Sequence, residues 1–425
     1  MKVNKIYPKV FRCNKTQRVY LEIEGLEKDE EILIKIQPME KYGIPHTERY
    51  RIDEETRYPY SPLEKVDDGI YYFDYSFATE QRYSLKLMKD GKVCCYASLY
   101  AAADDLFSLR ALKGDTHLHT CRSDGEGEPF DVGCLYRSEG YDFIAITDHH
   151  KHYPSIEARD AFAPLTKEFV VFPGEEIHNA PMGYFHIVNF GGDSIGQETI
   201  NVTDEKIAEE IEKILKGNDF GDITDKKGLA YRIYIANRIK ELGGIAIFAH
   251  PFWATFGEYH TEVEQVEYLL RNEIFDALEV KASCDNNGNG TNLQEALWAD
   301  IRAEGKKIAV VGASDSHKRI DRRPDDLFSK QYTIVFAKDF GEVKDAIKDE
   351  RAVAVNQRDT YDFHVVGRFR YVKYARFLLD EYFPAYTALC KEHAEALAEC
   401  KGKERSERVI LAEEKLNAYK NAFFA

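Results

Sequence analysis

The strongest constraint on this fold is a recurring pattern: short apolar runs that each stop at histidine or acid. Phe143–Ile146 ends at Thr147-Asp148-His149, and Phe169–Phe172 at Pro173-Gly174-Glu175-Glu176. Ile245–Phe248 ends at Ala249-His250-Pro251, and Ile308–Val311 at Gly312-Ala313-Ser314-Asp315-Ser316-His317. Leu278-Glu279-Val280 ends at a polar loop, Ser283 to Asn292. Runs apolar on both faces predict buried parallel strands. Helix-length segments lie between them, at Pro154–Lys167, Gly228–Leu242 and Asn292–Glu304. The expected class is therefore α/β. In a barrel of parallel strands the C-terminal strand ends share one mouth, so residues far apart in sequence would meet in one polar pocket.

A further stretch, Gly114-Asp-Thr-His-Leu-His119, puts His117 and His119 two apart, on one face of an extended strand. Two neutral imidazoles so placed begin a divalent-metal site. With Asp124, His149, Glu176, His186, His250, Asp315 and His317 the candidate ligands number nine, six imidazoles and three carboxylates. One ion takes four to six ligands, so two or three divalent ions are expected. A mixed N/O set suits Zn, Mn or Fe and disfavours Mg or Ca. Neighbouring ions that share a carboxylate can clamp an in-line displacement at phosphorus, with a metal-bridging hydroxide as nucleophile.

Around that centre the chain divides into three. Residues 1–108 read as a small all-β, sandwich-like domain: Arg18–Glu24, Glu31–Ile36 and Tyr83–Leu87 alternate, Ile70–Phe77 is aromatic-rich, and Asp90-Gly91 marks a hairpin before Val93–Tyr100. That domain is either a docking module or a structural prefix. Residues 109–365 carry the barrel, with 193–228 as an insertion that is either a lid or a peripheral helix. Tyr332–Phe336, Gly341–Lys348 and Ala352–Val355 would complete it. Residues 366–425 are helical. Phe377, Leu378, Leu379, Tyr382, Phe383, Leu389, Leu397, Val409, Ile410, Leu411, Leu416 and Tyr419 give an apolar face, to be buried on the barrel or in a homo-oligomer.

A net charge of −16 and the lack of a basic stripe exclude a grip on long nucleic acid. No apolar run is long enough for a membrane span, and the first twenty residues have no signal-peptide core. The eight cysteines are dispersed without a C-x-x-C pair, as expected of reduced thiols in a cytoplasmic protein.

The motifs Gly-Asp-Thr-His-Leu-His-Thr…Ser-Asp-Gly, Ile-Thr-Asp-His, Pro-Gly-Glu-Glu-Ile, Ala-His-Pro and Ala-Ser-Asp-Ser-His resemble, in order, those of the polymerase and histidinol phosphatase (PHP) superfamily. The likeness covers roughly 110–360. It implies a distorted (β/α)7, TIM-like PHP barrel holding two or three metals. His117, His119 and Asp315 would hold the first. Glu176 would bridge to a second, held by His186 and His250, and Asp124, His149 and His317 would hold the third. The family's Gly-x-Glu pattern selects Glu176 over Glu175. Asp115 and Asp148 would orient ligands rather than bind metal.

His150 and His178 are candidates for protonating the leaving group, or else residues of the pocket wall. Arg122 and Lys318, the latter beside Arg319, are candidates for binding phosphate. Phe252 and Trp253 either stack on substrate or pack in the core, and Tyr231, Arg232 and Arg238 are possible pocket residues. His46, His260, His364 and His393 read as surface or core. The expected activity is a metal-dependent phosphoesterase acting on a small phosphorylated metabolite or nucleotide. The alternatives are a multi-metal hydrolase of another ester or an amide, and a metal-stabilised binding protein without catalysis. None of the nine ligand positions holds an apolar residue, which favours catalysis.

Overall fold

Alternating sequence becomes alternating burial in the N-terminal strands. These are β1 (Lys2–Tyr7), β2 (Val10–Arg12), β3 (Thr16–Glu24), β4 (Leu33–Pro38), β5 (Ser61–Pro62), β6 (Glu64–Asp67), β7 (Ile70–Ser76), β8 (Gln81–Lys89) and β9 (Lys92–Ala102). In β8, Tyr83, Leu85 and Leu87 are buried while their neighbours are half-exposed, as a two-residue period requires. β1-β3-β7-β6 form one sheet and β2-β9-β8-β4-β5 a second. Val19, Leu21, Ile23 and Phe73 from the first share an apolar cluster with Ile34, Leu85, Leu87 and Leu99 from the second. At the β8–β9 turn, Asp90 and Gly91 both have positive φ (51° and 71°), which a two-residue hairpin of matching twist demands. A four-residue helix, α1 (Asp104–Phe107), follows.

The computed structural model describes residues 2–26, 30–40, 58–179, 183–196, 204–255, 257–281, 289–317, 330–357 and 362–424. The chain forms two compact units: Met1–Leu109 with Phe377–Tyr386 and Glu414–Ala425, and Arg110–Arg376 with Thr387–Glu413.

The second unit is α/β. Its strands are β10 (Arg110–Leu118), β11 (Phe143–Ile146), β12 (Val170–Phe172), β13 (Gly174–Asn179), β14 (Gly183–Phe190), β15 (Ile245–Phe248), β16 (Ala254–Thr255), β17 (Glu258–Tyr259), β18 (Ala277–Lys281), β19 (Ala309–Gly312), β20 (Gln331–Ala337), β21 (Ala352–Gln357) and β22 (Phe363–Gly367). One sheet has the order β12-β11-β10-β20-β21-β22 and another β13-β14-β15-β18-β19. The isolated bridges Leu118↔Ser316 and His149↔Glu176 join strand-end residues across them.

The five apolar runs read as parallel strands lie in β11, β12, β15, β18 and β19, each paired parallel with a neighbour, but the sheets as wholes are mixed. β10–β11, β11–β12, β15–β18 and β18–β19 are parallel. β13–β14, β14–β15, β10–β20, β20–β21 and β21–β22 are antiparallel. Burial on both faces makes a strand apolar throughout, whichever way its neighbour runs.

The helices are α2 (Pro129–Ser138), α3 (Tyr153–Phe162), α4 (Glu205–Gly217), α5 (Lys226–Glu241), α6 (Val263–Arg271), α7 (Asn289–Ala303), α8 (Val343–Lys348), α9 (Phe369–Glu381), α10 (Phe383–Ala398) and α11 (Glu407–Phe423). α4 lies in the 193–228 segment. Asp204 caps it, accepting from Lys206 N (2.9 Å) and Ile207 N (3.3 Å). Ile207 and Ile211 join the cluster of Leu229 and Ile233 on α5, the way a peripheral helix is held. Most of the apolar face expected for the C-terminal helices is buried within the chain, including Phe377, Leu378, Leu397, Val409 and Leu416; Ile410 and Leu411 are exposed. Much of the polar loop at Ser283–Asn292 lies outside the described residues. Among the described residues no helix is long and apolar enough to cross a membrane.

Candidate metal centre

β10 is buried along its last seven residues, and its end delivers His117 and, just beyond it, His119. Their Nε2 atoms lie 3.2 Å apart. Glu176 Oε2 on β13 is 3.2 Å from each, and Asp315 Oδ1, after β19, is 3.3 and 3.1 Å away. Glu176 then turns its other oxygen to a second pair: Oε1 is 2.7 Å from His186 Nδ1 on β14 and 3.3 Å from His250 Nε2 after β15. A third group surrounds half-exposed Asp124. His149 Nε2 is 3.5 Å and His317 Nε2 3.3 Å from its Oδ2, and His119 Nδ1 is 3.7 Å from Oδ1. The nine residues singled out in the sequence thus converge as three overlapping groups, joined through Glu176 and His119.

Hydrogen bonds around the groups fix which ring nitrogens face inward. His117 Nδ1 lies 2.8 Å from Glu279 Oε1, leaving Nε2 toward the cluster. His317 Nδ1 donates to the Asp315 carbonyl (2.9 Å), leaving its Nε2 toward Asp124. Asp115 and Asp148 act as expected of orienting residues. Asp115 accepts from the amides of His117 (3.1 Å) and Ser314 (3.1 Å), pinning β10 to the segment that carries Asp315. Asp148 takes the amide and hydroxyl of Thr120 and the hydroxyl of Ser123, holding the loop before Asp124. His150, His250 and Asp315 have positive φ (56°, 25° and 48°), a costly backbone for non-glycine residues and a recurrent one at functional sites.

The cluster fits divalent cations on its own chemistry. Buried Glu176 Oε2, His149 Nδ1 and His186 Nδ1 make no hydrogen bond of good geometry, although each lies against another polar atom of the cluster. Orphaned buried acceptors of this kind are rare and costly without a partner. Neutral imidazole nitrogens facing carboxylates are the ligand types for Zn, Mn or Fe.

Electrostatics without metal point the same way. Burial alone would depress His117, His119 and His250, but the surrounding carboxylates outweigh it. His117 is raised well above its ordinary value, His119 to about 9, and His250 upward. Burial likewise opposes ionisation of Glu176 and Asp315, yet the histidines hold both carboxyls low. A raised imidazole pKa means a proton must leave before a metal can bind below about pH 9. Metal loading near neutral pH is therefore expected to release protons, and apparent affinity to fall as pH drops. Calorimetry in buffers of different ionisation enthalpy measures this; a binding heat independent of the buffer would contradict it.

The Ser-Asp-Gly motif has a steric reason. A Cβ on Gly125 would sit 2.7 Å from the His119 carbonyl carbon and 2.8 Å from Thr120 N, so only glycine lets the Asp124 loop fold back so closely. Gly125→Ala is expected to cost about 1–3 kcal/mol by overpacking and to weaken the Asp124 group most, read as a lower melting temperature with the largest loss in that ion class.

Other candidates fare differently. His150 and His178 stand beside the cluster, with ring centroids 4.3 Å apart and His178 4.7 Å from His186. Burial, aided by neighbouring imidazoles, pushes His178 down to about 3, so it is neutral at neutral pH, which weighs against a protonated acid. Burial also lowers His150. Arg122 lies near the group, but its guanidinium is engaged by Glu157 (2.8 and 3.1 Å) and Glu128 (2.8 Å). Lys318, Arg319 and His46 lie outside the described residues.

Trp253 borders the cluster, 5.4 Å from His250 and 5.6 Å from His186, with His260 on it at 4.2 Å; Phe252 is in the core. Tyr231 is core, Arg232 stacks on Phe185 (4.6 Å), and Arg238 pairs with Glu241 (3.0 Å). His364 faces Glu295 (3.5 Å), and His393 is buried, accepting from Arg137 (3.0 Å).

One contributor escaped the sequence reading. Glu279 on β18 is fully buried and touches both His117 and His250. The available signal was a lone carboxylate inside the apolar run Leu278-Glu279-Val280.

An α/β unit with nine His, Asp and Glu side chains gathered at strand ends defines the class to which the fold and site belong. No family model matches the chain, and no curated protein matches it. Among solved structures it is similar to a two-domain protein of Bacteroides vulgatus described as containing a predicted PHP-like metal-dependent phosphoesterase. Identity is 18%, the TM-score is 0.44, and 63% of this chain and 71% of that one are covered. It is also similar to a candidate metal-dependent phosphoesterase of Bifidobacterium adolescentis (19%, TM-score 0.35, 49% and 89% covered). A third is an amidohydrolase of Chromobacterium violaceum with bound sulfate and no metal (17%, TM-score 0.33, 50% and 92% covered).

Proposed function

We propose that this chain is a PHP-type metal-dependent phosphoesterase, its second unit a distorted barrel, acting on a small phosphorylated metabolite or nucleotide. The observation that carries the reading is the junction at Glu176, whose two oxygens face five imidazoles carried on or just after four strands, β10, β11, β14 and β15. The residues that would hold ions are His117, His119, Glu176 and Asp315, then Glu176, His186 and His250, then Asp124, His149 and His317 with His119. Divalent ions there would supply Lewis acidity, offsetting charge on phosphoryl oxygens and making water a nucleophile at neutral pH.

The chain's own groups do the rest. Glu279 and the Asp315 carbonyl keep His117 and His317 in the ligand tautomer. Asp115 and Asp148 lock the backbone on either side. Neutral His150 and His178, with Trp253, make a wall able to hydrogen-bond or stack on a leaving group. Zn, Mn or Fe suits this donor set, and any oligomer would use the C-terminal helices, where Ile410 and Leu411 are exposed.

The test is elemental analysis of the protein purified without added metal, together with a phosphate-release panel run beside ester and amide substrates. Replacing His117 and His119 together by alanine is expected to remove bound metal and phosphate release. Retention of both in the double variant would end the proposal, and turnover of only esters or amides would redirect it to another bond.

A further inference from the structure

Glu279 occupies an unusual position. It lies on β18, the strand hydrogen-bonded to β15 on one side and β19 on the other. Those neighbours end at His250 and lead to Asp315. Its carboxylate is fully buried and divided between two tasks. Oε1 is 2.8 Å from His117 Nδ1, and Oε2 accepts the His250 amide at 3.1 Å. An ionised carboxylate only accepts, so His117 must carry its proton on Nδ1 and present an Nε2 lone pair to His119, Glu176 and Asp315. The second bond holds the backbone of His250, whose φ of 25° is one that non-glycine residues rarely adopt.

We infer that Glu279 is a positioning residue that builds two ion sites at once: it sets the tautomer of His117 in one group and the backbone of His250 in the next. The inference rests on the metal-centre reading above. Its chemical requirement is two acceptors at one side chain, aimed at two donors. Glutamine has the same shape but offers one acceptor and one donor, so in either orientation its NH2 faces an N–H. Aspartate keeps both acceptors but is one methylene short and cannot reach both partners. The Asp124, His149 and His317 group makes no contact with Glu279 and should not depend on it.

The experiment compares wild type, Glu279→Gln and Glu279→Asp as full chains, titrated with Zn or Mn against a chelating indicator and counted by elemental analysis. In Glu279→Gln the ions held by the His117 and His250 groups are expected to bind about 10–100-fold more weakly, while the Asp124 group keeps its affinity. Turnover should recover at high metal concentration, a readout that general loss of structure would not give. Equal affinity in all groups, or equal weakening of all three, would overturn the inference.

Should both variants fail to fold, nitrogen-15 NMR of the imidazoles in the metal-loaded wild type decides. A proton on His117 Nδ1 supports the inference and one on Nε2 ends it. A wild-type protein that binds no metal would instead remove the metal-centre reading itself, a distinct result.

Discussion

Glu176→Gln is expected to lower phosphate release by at least about 10³-fold, the scale on which removal of one electrostatic stabiliser acts, and to lose ions from two of the three groups. Glu176 is fully buried and is the residue that the His117 and His186 groups have in common. Both its oxygens face imidazole nitrogens within 3.3 Å. Glutamine keeps the volume, removes the charge and turns one acceptor into a donor aimed at the same nitrogens. The Asp124 group should keep an ion, held more weakly, because it retains its own carboxylate but His149 Nδ1 also lies 3.1 Å from Glu176 Oε2. Elemental analysis and a turnover assay check both halves, and a variant with full metal content would contradict the geometry.

The second large effect is structural. Gly312→Ala is expected to destabilise the second unit by about 3 kcal/mol or more, above the usual range for overpacking. A Cβ there would lie 2.4 Å from the Tyr332 carbonyl oxygen and 3.2 Å from Val355 N, both backbone atoms of strands that cannot yield as a side chain would. β19 ends at this glycine, three residues before Asp315, so the clash also shifts a ligand. A thermal melt should drop by roughly 5 °C for a body of this size, and metal content should fall with it. A melt within one degree of wild type would show that the crossing is looser than it looks.

What sequence could reveal here follows from what each signal reports. Histidines at the ends of apolar runs were legible because the apolar pattern breaks there; His149, His250 and His317 are cases. His186 was nominated as a histidine near the other candidates, yet its strand was not read. Gly183–Phe190 pairs antiparallel with β13, and an apolar run carries no record of its neighbour's direction. For the same reason the antiparallel β20–β21–β22 set was invisible as such.

Glu279 was missed because a charged residue in a strand is judged from its neighbours in sequence, whereas its partners, His117 and His250, are 162 and 29 positions away. Arg122 shows a different limit of the sequence. Proximity to a motif suggested a phosphate contact, and only three dimensions reveal Glu157 and Glu128 around its guanidinium. The C-terminal helices contribute residues to both compact units.

Two hundred positions separate His117 from His317, and the nine ligands come from five separate stretches of the chain. Such a centre has no local precursor: it comes into being only when long loops have already closed. Ions that bind this assembled form and not the open chain act as a thermodynamic latch. At a thousandfold excess over the dissociation constant each would add about 4 kcal/mol, so resistance to heat and proteases should track ion supply as closely as turnover does.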